Sequence, residues 1–290
     1  MTPFQLASYE PSDRGDYLAL LDRAWGHQRL APDEFDWWFG RNPAGSLMSV
    51  ARMDGRVVGV AAHTLLRMVL GGEERSASFS VHATTLPEAR GLGIFRELEL
   101  KHEREAQEHG VAVVLAFASA PTAPIFLGPL GWTEIGRLRI WARPLLRRGG
   151  ASPSPLGVEG DAAASWPNHV VRDRQHLTWR YLGSPRGYVT VRSGEGYAAV
   201  RPAKPHRGRA VAVLADLVGA DVHGLLLAAS RASRAHVLLG LPAPEQRGAF
   251  LRAGFVPTSR TLHLMGKALA GRLDTDPSAW RFTLGDTDFF

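Results

Sequence analysis

The stretch RGLGIF, residues 90–95, places an arginine and two closely spaced glycines directly before a predicted helix. A helix N-terminus presents unpaired N–H groups and the positive end of the helix dipole, and glycine lets an anion approach the backbone closely. Arg90 would add charged donors, and Pro87 would set the bend before the turn. The pattern suits a phosphate-binding turn, but two glycines alone also suit a plain strand-to-helix reversal.

Two common phosphate motifs do not fit this turn. The dinucleotide fingerprint requires a third glycine at position 96, where the chain has arginine. The P-loop requires Gly-Lys followed by Ser or Thr, and this is also absent from the turn. Whether the turn at residues 90–95 binds a phosphate therefore has to be judged from the strand and the helix on either side of it.

The composition excludes several classes of chemistry. The 290 residues contain no cysteine, so disulfides, thiolate metal ligands and cysteine nucleophiles are excluded, and we expect no metal site. The formal charge is +6, but the basic residues are scattered, so nucleic-acid binding is not favoured.

The start of the chain has no signal-peptide pattern, and the longest apolar run, 111–118, is too short to cross a membrane. We therefore expect a cytoplasmic protein.

The first half of the chain predicts a sheet that the glycine turn joins to a helix. Residues 46–69 predict two strands joined at Asp54-Gly55, a favoured hairpin turn, and a third strand follows at 75–86. A helix is expected over 93–109, and the apolar run 111–118 indicates a buried strand. Strands joined by a crossover helix predict an α/β (α+β) domain with a mixed sheet.

The second half of the chain resembles the first. The blocks FDWWFGRNPAG (35–45) and LTWRYLGSPRG (177–187) align at one offset of 142 residues, from Trp37 to Trp179. A segment with a strand-like pattern follows each block. Near its end, each half has a glycine-aromatic pair followed by a last strand-like segment. Because the aromatic residues recur at equivalent places, we expect them to pack in a core rather than to line a sugar-binding cleft.

A Gly-, Ala-, Ser- and Pro-rich segment separates the two halves. The predicted organisation is a domain over 1–145, a linker over 146–168 and a second domain over 169–290. Both domains are expected to be mixed sheets flanked by helices.

The order of strand, TTLPEARGLGIF, helix, buried strand and FLGPLGW resembles the GNAT acetyltransferase superfamily over roughly residues 10–145. Pro87, Arg90, Gly91 and Gly93 match that family's Pro-x-x-Arg-Gly-x-Gly turn, and the late Leu-Gly-aromatic element matches at 130–132. The second half lacks the turn. It therefore resembles a degenerate GNAT-like repeat without a cofactor site of its own.

The resemblance implies acetyl-CoA, or another acyl-CoA, as co-substrate. Its pyrophosphate is expected on backbone N–H groups of the turn, and its pantetheine beside the preceding strand, where an N–H would polarise the thioester carbonyl. The residues implied in binding are Ala83, Thr84, Thr85, Arg90, Gly91, Leu92, Gly93, Ile94, Phe95 and Arg96.

The chain departs from the family pattern at two positions of the site. Phe95 stands where the turn usually has its second small residue. Leu127 stands where the family has a tyrosine that protonates the leaving thiolate, so this acid is supplied elsewhere or by water.

Three residues are candidates for the base that deprotonates an amine substrate. His82 lies on the strand that leads to the turn. Asp286 and Asp288 lie in an aromatic-rich tail that we expect to pack rather than to be disordered.

The predicted function is acyl-CoA-dependent N-acyl transfer to a small-molecule amine, such as an amino sugar, by direct attack on the thioester. One alternative is a non-catalytic acyl-CoA-binding regulatory or scaffold protein. Another is aminoacyl transfer from charged tRNA, against which the retained glycine turn argues. The sequence predicts no oligomeric state.

Overall fold

The computed structural model describes residues 3–26, 30–145, 154, 156, 160–206 and 208–287. Packing divides the chain into two compact units. Unit 1 comprises Met1–Met68, Glu74–Gly136 and His263–Thr275, and unit 2 comprises Val69–Glu73, Arg137–Leu262 and Asp276–Phe290. Of the predicted linker, 146–168, the structure describes residues 154, 156 and 160–168.

The elements of the first half follow the order that the sequence predicts over residues 46–118, an unpredicted strand precedes them at Gln5–Ser8, and the mixed sheet flanked by helices is confirmed. In chain order they are β1 (Gln5–Ser8), α1 (Arg14–Trp25), α2 (Pro32–Phe35), β2 (Ser46–Met53), β3 (Arg56–Leu70), β4 (Glu73–Thr85), α3 (Ile94–Glu108), β5 (Val113–Ala118), α4 (Ala123–Leu127) and β6 (Thr133–Pro144).

The second half repeats this series without a counterpart of α1 and with one additional strand at its end. Its elements are β7 (Asn168–Val170), α5 (Arg174–Leu177), β8 (Val189–Ser193), β9 (Gly196–His206), β10 (Arg209–Val218), α6 (Val222–Ala232), β11 (Val237–Gly240), α7 (Arg247–Arg252), β12 (Val256–Ala268) and β13 (Trp280–Arg281).

In unit 1 the strands lie in the order β1-β2-β3-β4-β5, followed by residues 263–268 of β12. Strands β1, β2 and β3 are antiparallel neighbours, whereas β4 and β5 are parallel. A parallel pair needs a crossover connection, and α3 supplies it. The end of β12 belongs to unit 1 because it pairs with β5 along six residues, from His263–Ala118 to Ala268–Val113.

In unit 2 the order is β6-β11-β10-β9-β8. Strands β10 and β11 are parallel, with α6 as their crossover helix, and β13 pairs in parallel with β7. Each unit thus contains a parallel strand pair joined by one helix.

The two aromatic blocks adopt the same local structure. Each begins with a four-residue helix, α2 or α5, and continues as a π-helical turn, Asp36–Gly40 or Thr178–Leu182. Arg41 N donates to Asp36 O at 3.1 Å, and Gly183 N donates to Thr178 O at 2.7 Å. The shared backbone path gives the sequence repeat a structural basis.

The aromatic side chains of these blocks are buried. Trp37 is 1% exposed and Trp38 is 3% exposed, and the Trp38 Nε1 donates a hydrogen bond to Thr64 Oγ1 at 2.7 Å. In the second block Trp179 and Tyr181 are buried as well. These positions agree with the packing role expected from the sequence.

We expect Trp37→Ala to lower the free energy of unfolding by about 3–5 kcal/mol, because it removes a fully buried indole and leaves a cavity. Urea unfolding measures this. Trp25→Ala is the matched control, because Trp25 is 51% exposed and its loss should cost much less. Equal losses in the two variants would contradict the packing role.

Candidate functional site

Strands β4 and β5 separate at their carboxyl ends. Their parallel pairing covers residues 77–79 of β4 and 113–115 of β5, after which β4 continues to Thr85 and β5 to Ala118. In sheets with parallel strands, ligands bind at the carboxyl ends of strands, where such a separation exposes backbone groups. Ala83, Thr84 and Thr85 lie on the β4 side of this opening.

The glycine turn lies between this end of β4 and the start of α3. Pro87–Ala89 form a short 3-10 turn, Arg90 is extended, and Gly91 and Gly93 adopt φ values of +82° and +81°. A Cβ added at either glycine would meet no atom within 4 Å, so the backbone of the turn faces open space. Both glycines are required for the left-handed conformation, since other residues adopt it only with strain.

The N-terminus of α3 has no side-chain cap. Gly93 occupies the N-cap position, and because it has no side chain it makes no capping hydrogen bond. The N–H groups of Ile94, Phe95 and Arg96 have no acceptor within the helix, because each precedes the fifth helical position. With the helix dipole they form a site that fits a phosphate group.

Phe95 does not fill the turn. Its ring packs against Phe126 of α4, with ring centroids 5.7 Å apart, and Phe126 packs against Trp132 at 4.8 Å. The ring thus joins the hydrophobic core cluster of unit 1. The bulky residue at this position is compatible with an open turn because its side chain is anchored in the core.

His82 lies near the carboxyl end of β4 in a strained conformation. Its φ is +51°, which is unusual for a residue other than glycine and common at functional sites. The imidazole is buried, and it contacts the rings of Trp38 and Phe39 edge-on, at 5.6 Å and 5.9 Å. The first aromatic block therefore forms one wall around the imidazole of His82.

Trp25, at the end of α1, also reaches this region. Its Nε1 donates to Thr84 Oγ1 at 3.3 Å, and Arg23 forms an exposed ion pair with Glu88 at 2.6 Å. These contacts place the end of α1 beside the last residues of β4 and the segment before the glycine turn.

Leu127 lies at the end of α4, and its side chain is 44% exposed. The neighbouring Phe126 contacts Phe95 of the turn. An aliphatic side chain cannot donate a proton, so this position supplies no acid.

Asp286 lies in unit 2, within a buried network. Its Oδ2 accepts hydrogen bonds from the Arg172 guanidinium at 2.8 Å and from Thr283 N at 2.7 Å. Arg172, itself fully buried, also forms an ion pair with Asp216 at 3.0 Å. These contacts give the Asp286 carboxylate a structural role, and its role as a base stays a prediction. Asp288 lies outside the described residues.

The N-terminus of α6, the equivalent helix of unit 2, is capped by its own chain. Asp221 occupies the N-cap, and its Oδ1 accepts from Gly224 N at 2.9 Å. Ser193 Oγ donates to the other carboxylate oxygen at 2.6 Å. A carboxylate thus occupies the place that α3 leaves open, which agrees with the absence of the glycine motif from this half.

The inner face of α3 contains a polar cluster that the sequence reasoning missed. Glu99 and His102 are fully buried there, and Glu99 Oε2 lies 3.0 Å from Nε2 of the buried His63 of β3. The signal in the sequence was the three-residue spacing of Glu99 and His102 on the face that also buries Leu98 and Ala106.

Two searches of the described residues gave negative results. No group of three His, Asp or Glu side chains is placed to hold a metal ion. None of the helices in the described part of the chain combines the length and the apolar character of a membrane-spanning segment.

Residues 5–135 match the family model described as the acetyltransferase (GNAT) domain. This range contains β4, the glycine turn, α3 and β5. Among curated proteins, none matches this chain.

Three solved structures illustrate the fold that the chain shares. A GCN5-related N-acetyltransferase from Anabaena variabilis has a TM-score of 0.64 and 12% identity, covering 92% of this chain and 73% of that one. Eis1 from Mycobacterium abscessus has a TM-score of 0.58 and 17% identity, with 92% and 73% covered. A GCN5-related N-acetyltransferase from Kribbella flavida has a TM-score of 0.63 and 15% identity, with 91% and 71% covered. At these identities the likeness shows a common fold.

The buried His102 makes stability depend on pH. Burial lowers the pKa of His102 well below its usual value of 6.5, and His63 and Lys101 act in the same direction. The unfolded chain therefore binds more protons than the folded protein below about pH 6.5, so the stability from this group falls as the pH decreases. The expected loss approaches ~1.4 kcal/mol per pH unit.

Urea unfolding at about pH 7, 6 and 5 tests this expectation. His102→Gln removes the titrating group and should give a flatter dependence of unfolding free energy on pH than the wild type. Parallel pH profiles for the two proteins would contradict a neutral, buried His102.

Proposed function

We propose that this chain, which matches the acetyltransferase (GNAT) domain model over residues 5–135, transfers the acyl group of an acyl-CoA to the amine of a small molecule. Acetyl-CoA is the proposed donor. When bound, it supplies an acyl group activated as a thioester.

One observation carries the proposal: unit 1 combines an uncapped helix N-terminus with a separation between two parallel strands. The positive φ angles of Gly91 and Gly93 keep the turn accessible. We assign the pyrophosphate to the N–H groups of residues 92–96, and Arg90, which is exposed beside the turn, adds positive charge.

The backbone at the end of β4 is the proposed place for the pantetheine and the thioester. Ala83, Thr84 and Thr85 lie beyond the last pair between β4 and β5, so their backbone groups border the opening. A backbone N–H in this stretch is proposed to donate to the thioester oxygen. Negative charge develops on that oxygen during attack, and a fixed donor stabilises it.

His82 is the proposed base. The amine nitrogen attacks the carbonyl carbon, the carbon–sulfur bond breaks, and the proton lost by the amine passes to the His82 imidazole, directly or through one water molecule. His82 is favoured over Asp286, because the Asp286 carboxylate is held by Arg172 and by the backbone of Thr283. Proton transfer to Asp286 would disrupt that buried ion pair.

The acceptor is proposed to be a small-molecule amine, with an amino sugar as the first candidate. The second half, with its capped α6, is proposed to be a degenerate copy that binds no acyl-CoA. One observation favours a second function, acyl-CoA binding without turnover: Leu127 offers no proton for the leaving thiolate.

We expect Gly93→Glu to weaken acetyl-CoA binding by at least about 100-fold, measured by calorimetric titration. The new carboxylate would enter the space where the pyrophosphate is proposed to bind and would repel it. Gly194→Glu is the matched control, because Gly194 also has a positive φ, faces open space and lies in a hairpin of unit 2. If the wild type fails to bind, or if Gly93→Glu binds as tightly as the wild type, the proposal is wrong.

We expect His82→Asn to lower kcat by about 100-fold while the Kd for acetyl-CoA changes little. Asparagine tolerates the positive φ of this position, so the backbone should keep its path. Release of free thiol with a panel of amines measures the rate, and His223→Asn, in α6 of unit 2, is the control. A wild type that binds acetyl-CoA but releases no thiol with any amine would favour binding without turnover.

A further inference from the structure

Helix α3 buries an unusually polar face. Glu99 and His102 have no exposed surface, and Glu103 is only 7% exposed. Removing such groups from water is costly, and buried ion pairs contribute little net stability compared with apolar residues of similar volume. Their presence on this helix therefore calls for a role other than stability.

Glu99 links α3 to two strands. Its Oε1 accepts a hydrogen bond from Ser80 Oγ at 2.8 Å, and its Oε2 lies 3.0 Å from His63 Nε2. His63 Nδ1 in turn lies 3.1 Å from Ser78 Oγ. His63 belongs to β3, and both serines belong to β4. One carboxylate thus connects the helix to two neighbouring strands.

The contact point on β4 lies where β4 and β5 separate. Ser80 directly follows Phe79, the last residue of β4 that is paired with β5. Two residues further along is His82, with its positive φ. On the helix, Glu99 lies five residues after Ile94, which corresponds to a rise of about 7.5 Å from the start of α3. The link therefore joins the beginning of α3 to the stretch of β4 that leads into the proposed site.

Two further buried side chains of α3, His102 and Glu103, form hydrogen bonds that hold the helix in place. His102 Nε2 lies 2.9 Å from Ser49 Oγ of β2. Glu103 accepts hydrogen bonds from Trp132 Nε1 and from Lys267 Nζ of β12, both at 2.6 Å. Hydrogen bonds are directional, whereas apolar packing tolerates small rotations and translations. Together the contacts restrict α3 to one rotation and one register.

Close backbone packing holds the first residue of α3 as well. A Cβ at Gly59 of β3 would lie 2.5 Å from Ile94 Cγ2, so the absence of a side chain there admits Ile94. The first turn of α3 therefore packs against the sheet at Ile94. The hydrogen bonds of Glu99 fix its orientation.

The geometry points to Glu99 as a positioning residue: through Ser80 and His63 it holds the N-terminus of α3 at a set distance from the end of β4. This inference rests on the proposed function, in which the turn binds the pyrophosphate and the end of β4 binds the thioester. Because the pyrophosphate and the thioester belong to one ligand, the start of α3 and the end of β4 must lie at a fixed distance from each other. A misplacement of about 1 Å between them would slow transfer by about 100-fold.

Ser78, His63 and Glu99 are the residue types of a nucleophilic triad, but they do not act as one here. Ser78 is fully buried, so no substrate reaches its hydroxyl. These three residues contact only one another and their neighbours in the core. Their proposed effect on function is indirect, because they hold helix α3 in position.

The test compares an apolar and a conservative replacement. The apolar variant combines Glu99→Met, His63→Leu, Ser78→Ala and Ser80→Ala, so that no polar partner is left unsatisfied. We expect its unfolding midpoint to equal or exceed that of the wild type. Its Kd for acetyl-CoA should be about tenfold weaker and its kcat about 100-fold lower.

Glu99→Gln should retain the wild-type behaviour to within about twofold, because its amide oxygen accepts from Ser80 and its amide nitrogen donates to His63. Tyr197→Phe is the control for a buried hydrogen bond elsewhere. Its hydroxyl donates to Asp216 at 2.8 Å in unit 2, so its loss should lower stability and leave the Kd unchanged.

The outcomes separate the two proposals. If the wild type does not bind acetyl-CoA, the proposed function fails and the positioning role fails with it. If the wild type binds and the folded apolar variant has the same Kd and kcat, the proposed function stands and the positioning role is overturned. If the apolar variant does not fold, Ser80→Ala alone decides. Weaker binding at an unchanged unfolding midpoint supports the role, and unchanged binding overturns it.

Discussion

The N-terminal end of α3 is the constraint on which the rest of unit 1 depends. A helix start leaves N–H groups without acceptors, and most helices satisfy them with a side chain. Here Gly93 provides no side chain, and Gly91 and Gly93 keep the backbone open to solvent. Water can accept from these exposed N–H groups, and an anion can replace that water.

The two halves share an architecture but differ at the start of the crossover helix. Both units have parallel strands joined by a crossover helix, and both aromatic blocks end in a π-helical turn. The difference lies at the helix start, where Asp221 caps α6 with its own carboxylate. The Asp221 carboxylate accepts from one N–H of the first turn of α6, whereas the N-cap residue of α3 is a glycine without a side chain.

The environment of His82 illustrates how packing and strain combine near the site. The aromatic block has a structural role at Trp37, which is buried, while Trp38 and Phe39 also surround the imidazole. A positive φ at a non-glycine residue near the end of a strand persists only when the surrounding packing enforces it. The core of unit 1 thus determines where the imidazole lies, and the polar inner face of α3 determines where the helix lies relative to the same strand.

Local patterns in the sequence determined the element order, the hairpin at Asp54-Gly55, the glycine turn and the repeat of the aromatic block. Each depends on residues that are close together in the chain, where turn chemistry and periodicity are readable. Only the tertiary structure decided the partners of the buried charges. Glu99 meets His63 across 36 positions, and Arg172 meets Asp286 across 114. Such pairs leave no local pattern, because they form only after strands and helices from separate parts of the chain have packed together.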